Sequence, residues 1–255
     1  MSELVVCDQL TLQNDEPCFR IRMQAPRANA LEPALLQELH HAFDALEHSG
    51  CKKALMTGGR NFSTGGDVGR FFDAAQRGDA ATYADAVVPA LQKLILGMIS
   101  LPVVIASAIQ GAATGGSAGL VFASDIVTAA PGAFVQPYYG VMGFAPDGGW
   151  TALLPELIGT GHAQSWLMTN ARHGADRLET MGLVQAVDAD PEMRALAELG
   201  GIETGSALAT KSMIWTEARR ATVQAGLDAE AAGFQKLIGR QETLSRMAVF
   251  LQETG

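Results

Sequence analysis

Residues 94–124 contain no charged side chain, and a glycine-rich segment lies in the middle of this run. Residues 111–119 read Gly-Ala-Ala-Thr-Gly-Gly-Ser-Ala-Gly, between a predicted buried strand over 103–109 and a predicted apolar helix over 117–124. Such a helix start leaves N–H groups without partners, and glycines let a ligand approach them closely. The loop therefore indicates either a backbone site for an anion or oxyanion, or close packing between strand and helix.

The composition places the chain among ordinary packed globular proteins and excludes some partners. It has 255 residues, 48% of them apolar and 18% charged, which is typical of one large domain or one domain with an appendage. The net charge of −9 argues against a nucleic-acid partner, because binding to phosphate backbones needs a basic surface. Three scattered cysteines, Cys7, Cys18 and Cys51, predict no metal site and indicate a reducing, cytoplasmic compartment.

A membrane span is not expected in the uncharged run. Pro102, Gln110 and the glycines interrupt it, and no Lys/Arg-rich flank follows it. The first residues, Met-Ser-Glu-Leu-Val-Val, lack the layout of a signal peptide.

Strands and helices alternate through the first 200 residues, which predicts an α/β class with much parallel pairing. The expected elements are strands over 10–13 and 18–23, a helix over 32–47, a strand over 54–57, a helix over 82–98 interrupted at Pro89, and a strand over 126–129. From about residue 205 onward the pattern is helical only. We therefore divide the chain into a core, 1–200, and a helical carboxy-terminal region, 201–255, with a hinge at Gly200 and Gly201.

Two loops share two features, since each is rich in glycine and each follows a predicted strand. Residues 61–67, Asn-Phe-Ser-Thr-Gly-Gly-Asp, follow one predicted strand, and residues 111–119 follow the next. Parallel strands present their carboxyl ends at one edge of a sheet, where such folds bind ligands. Two N–H groups converging there would hold one oxyanion.

The order of these motifs resembles the crotonase superfamily, also called the enoyl-CoA hydratase/isomerase family. The matching segments are Arg27-Ala-Asn-Ala-Leu31, Phe62-Ser-Thr-Gly-Gly-Asp67, the run from Gly111 to Asp125, Phe134-Val-Gln-Pro137, Pro146-Asp-Gly-Gly149, His173-Gly-Ala-Asp176 and Gly182-Leu-Val184. The resemblance implies a spiral of ββα units, with a helical carboxy-terminal region that packs into homotrimers or homohexamers. It also implies an acyl-CoA substrate, no prosthetic group, and an enolate stabilised by two backbone N–H groups. Those donors fall on Gly66 and Gly116.

The chain departs from the hydratase pattern at both catalytic carboxylates. The two glutamate positions of enoyl-CoA hydratases are occupied here by Gly119 and Tyr138, so water has no evident base. Asp147 stands where single-aspartate enoyl-CoA isomerases keep their catalytic carboxylate. A carboxylate in an apolar pocket can move a proton between two carbons of an enolate, which predicts 3-enoyl to 2-enoyl isomerisation. The alternative is that Asp147 caps a helix beginning at Gly148.

Other residues complete the expected site. Tyr138 or Tyr139 can supply a hydroxyl or pack against substrate, and Trp150 is interpreted as pocket wall. Segment 82–96 is expected to line the acyl pocket, and the five histidines are interpreted as solvated. Arg27 is the candidate for the CoA phosphates, with a plain surface arginine as the alternative. Because lysines common in relatives are missing, an acyl-carrier-protein thioester remains an alternative to CoA.

Several other functions stay open. Within the family, the same enolate serves decarboxylation, hydrolysis or a specialised hydration. A non-catalytic acyl-thioester binder is also consistent with the loss of both glutamates. Residues 115–119 match the Gly-x-Ser-x-Gly elbow of α/β-hydrolases, with Ser117 as nucleophile and Asp147 and His162 or His173 as partners.

Overall fold

The computed structural model describes residues 3–254 and contains nine strands. They are β1 (Val5–Thr11), β2 (Pro17–Met23), β3 (Lys53–Thr57), β4 (Val104–Ile109), β5 (Ala112–Thr114), β6 (Ile126–Ala129), β7 (Phe134–Gln136), β8 (His173–Gly174) and β9 (Ala186–Val187).

Helices connect the strands and form the whole carboxy-terminal part. They are α1 (Pro26–Asn29), α2 (Pro33–His48), α3 (Val68–Gln76), α4 (Ala80–Ser100), α5 (Ala118–Phe122), α6 (Tyr139–Met142), α7 (Leu154–Ile158), α8 (Thr160–Thr169), α9 (Ala175–Thr180), α10 (Pro191–Gly201), α11 (Thr204–Ile214), α12 (Glu217–Ile238) and α13 (Gln241–Thr254). A short 3₁₀ turn, Gly115–Ser117, precedes α5. The α/β class and the helical carboxy-terminal region are thereby confirmed.

The main sheet has six strands in the order β1-β2-β3-β4-β6-β9. Only β1 and β2 pair antiparallel, and the other four pairs are parallel. Alternate residues of its central strands face two separate apolar clusters. Met56 and Ile105 belong to the large core, while Leu55 and Ala106 pack with α10. Burial on both faces explains why these strands have continuous apolar sequences.

A second, three-stranded sheet, β5-β7-β8, lies at the end of the main sheet where β4 leads into β5. The parallel bridge between Ser63 and Ala113 joins the loop after β3 to this sheet. The two glycine-rich loops are thus side by side, as expected from strands whose carboxyl ends share one edge.

The carboxy-terminal helices pack on the core of their own chain. Helix α12 lies against α4, and α13 lies against α3 and α6. A buried ion pair also anchors α11, since Lys211 Nζ donates to Asp125 Oδ2 and to the Val103 carbonyl oxygen, both at 2.7 Å. No helix within residues 3–254 is long and apolar enough to cross a membrane.

Three expected boundaries differ from the structure. The strand expected over 10–13 is the end of the longer β1, an edge strand whose mostly exposed residues carry no apolar signal. Helix α4 continues through Pro89, because Val87, Val88 and Leu91 are buried and tertiary packing holds the helix on both sides of the proline. Gly200 and Gly201 are the last residues of α10, so the expected hinge is the end of a helix.

Candidate active site

A cavity of about 510 Å³ opens where the two glycine-rich loops meet the carboxy-terminal helices. The residues expected to form the acyl-thioester site line it: Arg27, Gly66, Gly116, Tyr138 and Asp147. The fold therefore brings together residues that are up to 120 positions apart in the chain, 27 and 147 being the extremes.

The first loop is held by an unusual turn. In α1, Arg27, Ala28 and Asn29 all have positive φ, between 53° and 58°, so the turn is left-handed. The buried Asn29 side chain donates to three carbonyl oxygens of the loop, those of Gly58, Asn61 and Phe62, at 2.8–3.1 Å. The Leu31 N–H donates to the Gly65 carbonyl oxygen at 2.8 Å. Such a dense set of backbone contacts keeps Gly66 in one place.

The second loop packs directly on the first. Gly65 has φ +76°, and a Cβ there would lie 2.4 Å from the Thr114 carbonyl oxygen, so only glycine fits. The Trp150 indole N–H donates to the Gly115 carbonyl oxygen at 2.7 Å. Gly116 lies in the first turn of the following helical segment, where amides have no partner within the helix. Within residues 3–254, no carbonyl or side chain accepts the Gly66 N–H.

Asp147 is the carboxylate beside this pair of amides. Its two carboxylate oxygens lie 3.1 and 3.4 Å from the position that a Cβ would take on Gly116. The Tyr139 hydroxyl donates to Asp147 Oδ1 at 2.5 Å. Burial raises the pKa of Asp147 to about 7, the Tyr139 hydrogen bond works against that rise, and the charge of Glu230 adds to it. Both protonation states of Asp147 are therefore populated near neutral pH.

The helix-capping alternative for Asp147 is wrong. Residues 148–153 form turns, and the next helix, α7, begins at Leu154. The backbone at Gly148 instead presses against the second loop. A Cβ on Gly148 would lie 2.5 Å from the Gly116 carbonyl oxygen, and one on Gly119 would lie 1.9 Å from the Gly148 carbonyl oxygen. Position 119 therefore has no room for the glutamate of the hydratase pattern.

Glu230 on α12 holds the turns that follow Asp147. It is buried, and its carboxylate accepts hydrogen bonds from the N–H groups of Gly149, Thr151 and Ala152 and from the Thr151 hydroxyl, at 2.5–3.2 Å. Burial raises the pKa of Glu230, and these four donors oppose the rise. The carboxy-terminal region thus participates in the site through a buried polar contact.

One part of the cavity wall is aromatic and aliphatic. The Phe71, Phe144 and Phe234 rings contact one another with centroids 5.1–5.9 Å apart. From the segment expected to line an acyl pocket, 82–96, Val87 and Leu91 do so. The three rings therefore form one continuous aromatic part of the cavity lining.

The Arg27 side chain is half exposed and forms an ion pair with the buried Asp67 at the cavity. Asp67 also caps α3 by accepting the Arg70 N–H at 3.0 Å. The Arg27 guanidinium is therefore positioned beside the cavity by a carboxylate that belongs to the first glycine-rich loop.

Two sequence interpretations are wrong. Trp150 is not pocket wall but a fully buried support of the second loop, because its indole N–H is used by Gly115. Ser117 is not an elbow nucleophile, since it is fully buried and its hydroxyl is bonded to backbone groups of Thr114 and Ser63.

The histidines lie apart from the cavity. His40 Nε2 is hydrogen-bonded to the Ala90 carbonyl oxygen, and the His173 ring packs on Trp166. Within residues 3–254, no cluster of three or more His, Cys, Asp and Glu side chains could hold a metal ion.

Glu230 and Phe234 were missed by the sequence interpretation. Both lie on α12, more than 80 positions from the Asp147 motif, and their spacing is that of adjacent turns on one helix face. The signal that could have marked Glu230 is its place on the apolar stripe of α12, in line with Leu227 and Phe234.

The sequence model of the family described as enoyl-CoA hydratase/isomerase matches residues 14–252. The chain belongs to this family, whose members act on CoA thioesters without a prosthetic group. A probable enoyl-CoA hydratase of Rhodobacter capsulatus is 30% identical over 156 residues, which cover 61% of this chain and 59% of that protein.

Two further relatives cover more of the chain. The cyclohexa-1,5-dienecarbonyl-CoA hydratase of Thauera aromatica is 28% identical over 199 residues, 77% of this chain and 73% of that protein. The crystal structure of enoyl-CoA hydratase from Bacillus halodurans superposes with a TM-score of 0.84 at 22% identity, over 96% of this chain and 99% of that one. The structural likeness confirms the crotonase fold.

Proposed function

We propose that this protein is an enoyl-CoA isomerase that converts a 3-enoyl thioester to the 2-enoyl thioester. The Gly66 and Gly116 N–H groups hold the thioester oxygen, and Asp147 acts as acid and base. The observation that carries the proposal is a buried carboxylate in contact distance of Gly116, in a cavity lined by both glycines.

The reaction needs only one carboxylate. Asp147 removes a proton from C2, the electron pair moves to the thioester oxygen, and the two amides stabilise the enolate. The same carboxyl group then returns a proton to C4, which leaves the double bond between C2 and C3. A group with a pKa of about 7 can perform both steps at neutral pH.

The second candidate is hydration, because the relatives described above carry hydratase names. The geometry does not favour the two-glutamate form of that reaction. Position 119 has no room for a side chain, and position 138 is a tyrosine. Hydration here would have to use Asp147 alone to activate water and to protonate the product.

Arg27 is proposed to contact the carrier part of the substrate. It stands at the cavity rim with half of its side chain exposed, and its partner Asp67 leaves other guanidinium donors available. Phosphates of CoA are the proposed ligands, and the pantetheine phosphate of a carrier protein is the alternative. A homotrimer or homohexamer, implied by the family, remains part of the proposal.

The test is product analysis with short 3-enoyl-CoA and 2-enoyl-CoA substrates. Isomerisation leaves the mass of the thioester unchanged and creates a conjugated double bond, whereas hydration adds the mass of one water. We expect isomerisation, and we expect Asp147→Asn to lose it by about 10²–10⁴-fold. The matched control is Asp44→Asn, which changes an exposed aspartate on α2 and should leave turnover unchanged. Hydration as the faster reaction, or full activity in Asp147→Asn, would refute the assignment.

A further inference from the structure

We propose that Tyr139 and Glu230 are positioning residues for Asp147, which hold its carboxylate and its loop from two sides. The inference rests on the proposed function of Asp147, but it concerns residues to which that proposal gives no role.

Tyr139 fixes the direction of the carboxylate. It is buried, and its ring packs edge-on to the Trp150 ring with centroids 6.2 Å apart. Its hydroxyl lies 2.5 Å from Asp147 Oδ1 and 2.9 Å from the Asp147 carbonyl oxygen. Contact with both a side-chain and a main-chain oxygen of one residue restricts the rotation of that side chain.

Glu230 fixes the backbone that carries Asp147. Three backbone N–H groups of the loop donate to its two oxygens, with Gly149 on Oε2 and Thr151 and Ala152 on Oε1. Amide N–H groups are donors only, so this arrangement suits an ionised carboxylate. On the same helix, Gly226 packs so closely on Ala152 that a Cβ there would lie 2.8 Å from the Ala152 Cβ. Helix α12 and the Asp147 loop are therefore joined by both hydrogen bonds and close packing.

The two residues affect the charge of Asp147 in opposite directions. Tyr139 donates to the carboxylate and favours its ionised form, whereas the negative charge of Glu230 disfavours it. Within residues 3–254, these are the ionisable groups that act on Asp147. Substitution of Tyr139 is therefore expected to shift the pKa of Asp147 in the opposite direction from substitution of Glu230.

The test is the titration of the Asp147 carboxyl carbon by NMR in protein labelled with ¹³C-aspartate, with the signal assigned from Asp147→Asn. Tyr139→Phe should raise the titration midpoint by about one pH unit, because one hydrogen bond to a charged acceptor is lost. Glu230→Gln should lower the midpoint, because a nearby negative charge is removed. The matched control is Tyr83→Phe, which removes a buried hydroxyl that has no hydrogen-bond partner among residues 3–254 and should leave the midpoint unchanged.

A third variant tests the position of the Asp147 loop without changing the charge near Asp147. Its interpretation does not require that Glu230→Gln folds. Thr151→Val removes one donor to Glu230 and keeps its charge. It should leave the Asp147 midpoint in place, while kcat falls a few-fold and KM stays constant.

The NMR readout requires no turnover, so it is separate from the test of the proposed function. Midpoint shifts of the same sign in Tyr139→Phe and Glu230→Gln would overturn the inference, and so would no shift in either variant. Failure of isomerisation with the expected midpoint shifts would refute only the proposed function.

Discussion

The absence of a side chain at position 119 is the most sharply testable feature of the site. Gly119 lies in α5, where alanine is intrinsically favoured over glycine by about 1 kcal/mol. The structure predicts the opposite effect of Gly119→Ala. The new Cβ would lie 1.9 Å from the Gly148 carbonyl oxygen and 2.7 Å from Ile95 Cδ1.

The loss of stability follows from the backbone displacement that the new methyl group requires. An ordinary carbon–oxygen contact requires the Gly148 carbonyl to retreat by more than about 1 Å. Gly148 is already packed against Gly116. Its carbonyl can therefore move only if the neighbouring residues of the loop, including Asp147, move as well. Overpacking typically costs about 1–3 kcal/mol, and this contact is with backbone, so we expect about 3 kcal/mol. In a chain of this size that lowers the Tm by about 6–12 °C.

The assay is thermal unfolding together with isomerase turnover. The matched control is Gly97→Ala in α4, where a Cβ has no neighbour within 4 Å in the described part of the chain and the variant should be slightly more stable than the natural chain. We expect Gly119→Ala to lose at least about tenfold in kcat, since a 1 Å misplacement of a catalytic group is costly. A Gly119→Ala protein as stable and as active as the Gly97→Ala protein would refute the description of this contact.

Two further predictions concern stability and specificity. Asp147→Asn should be more stable than the natural chain at pH 8 by about 2–4 kcal/mol, because ionising a group whose pKa is raised to about 7 destabilises the folded state as pH rises from about 4 to above 7. That advantage should disappear below pH 4, where Asp147 is protonated in both states, and urea unfolding at several pH values measures it. Phe234→Leu should open the aromatic wall and shift kcat/KM toward longer acyl chains, with Phe43→Leu on α2 as a control that leaves chain-length preference unchanged. Equal preference in the two phenylalanine variants would show that the wall does not limit the acyl chain.

Much of the site was predictable because its parts are local in sequence. The loops around Gly66 and Gly116 each follow a buried strand, so glycine content and strand order were enough to place them together. Asp147 was marked by its motif, and the structure buries it. Sequence pattern is informative for features that one continuous segment of the chain forms.

Long-range contacts were not predictable in this way. The contacts of Glu230 with the Asp147 loop join residues about 80 positions apart and depend on how α12 docks on the core. The apolar pattern of one helix predicts which of its faces is buried. It does not predict which element packs against that face.

Backbone conformation was also beyond the sequence pattern. Tyr138 has φ +63°, an uncommon value for a non-glycine residue, and it is Tyr139 whose hydroxyl reaches Asp147. The left-handed turn at Arg27, Ala28 and Asn29 is stabilised by the buried Asn29 amide, whose acceptors lie about 30 residues further along. Tertiary hydrogen bonds determine these conformations, so no local propensity predicts them.

The central claim is that one carboxyl group, Asp147, moves a proton between two carbons of a thioester held by two amides. Its most direct measurement is the conversion of a 3-enoyl-CoA in D₂O, with deuterium located by NMR in the product and in recovered substrate. We expect exchange at C2 and deuterium at C4 with the natural chain, and loss of both by at least about 10²-fold in Asp147→Asn. Exchange in Asp147→Asn at a rate within tenfold of the natural chain would contradict it.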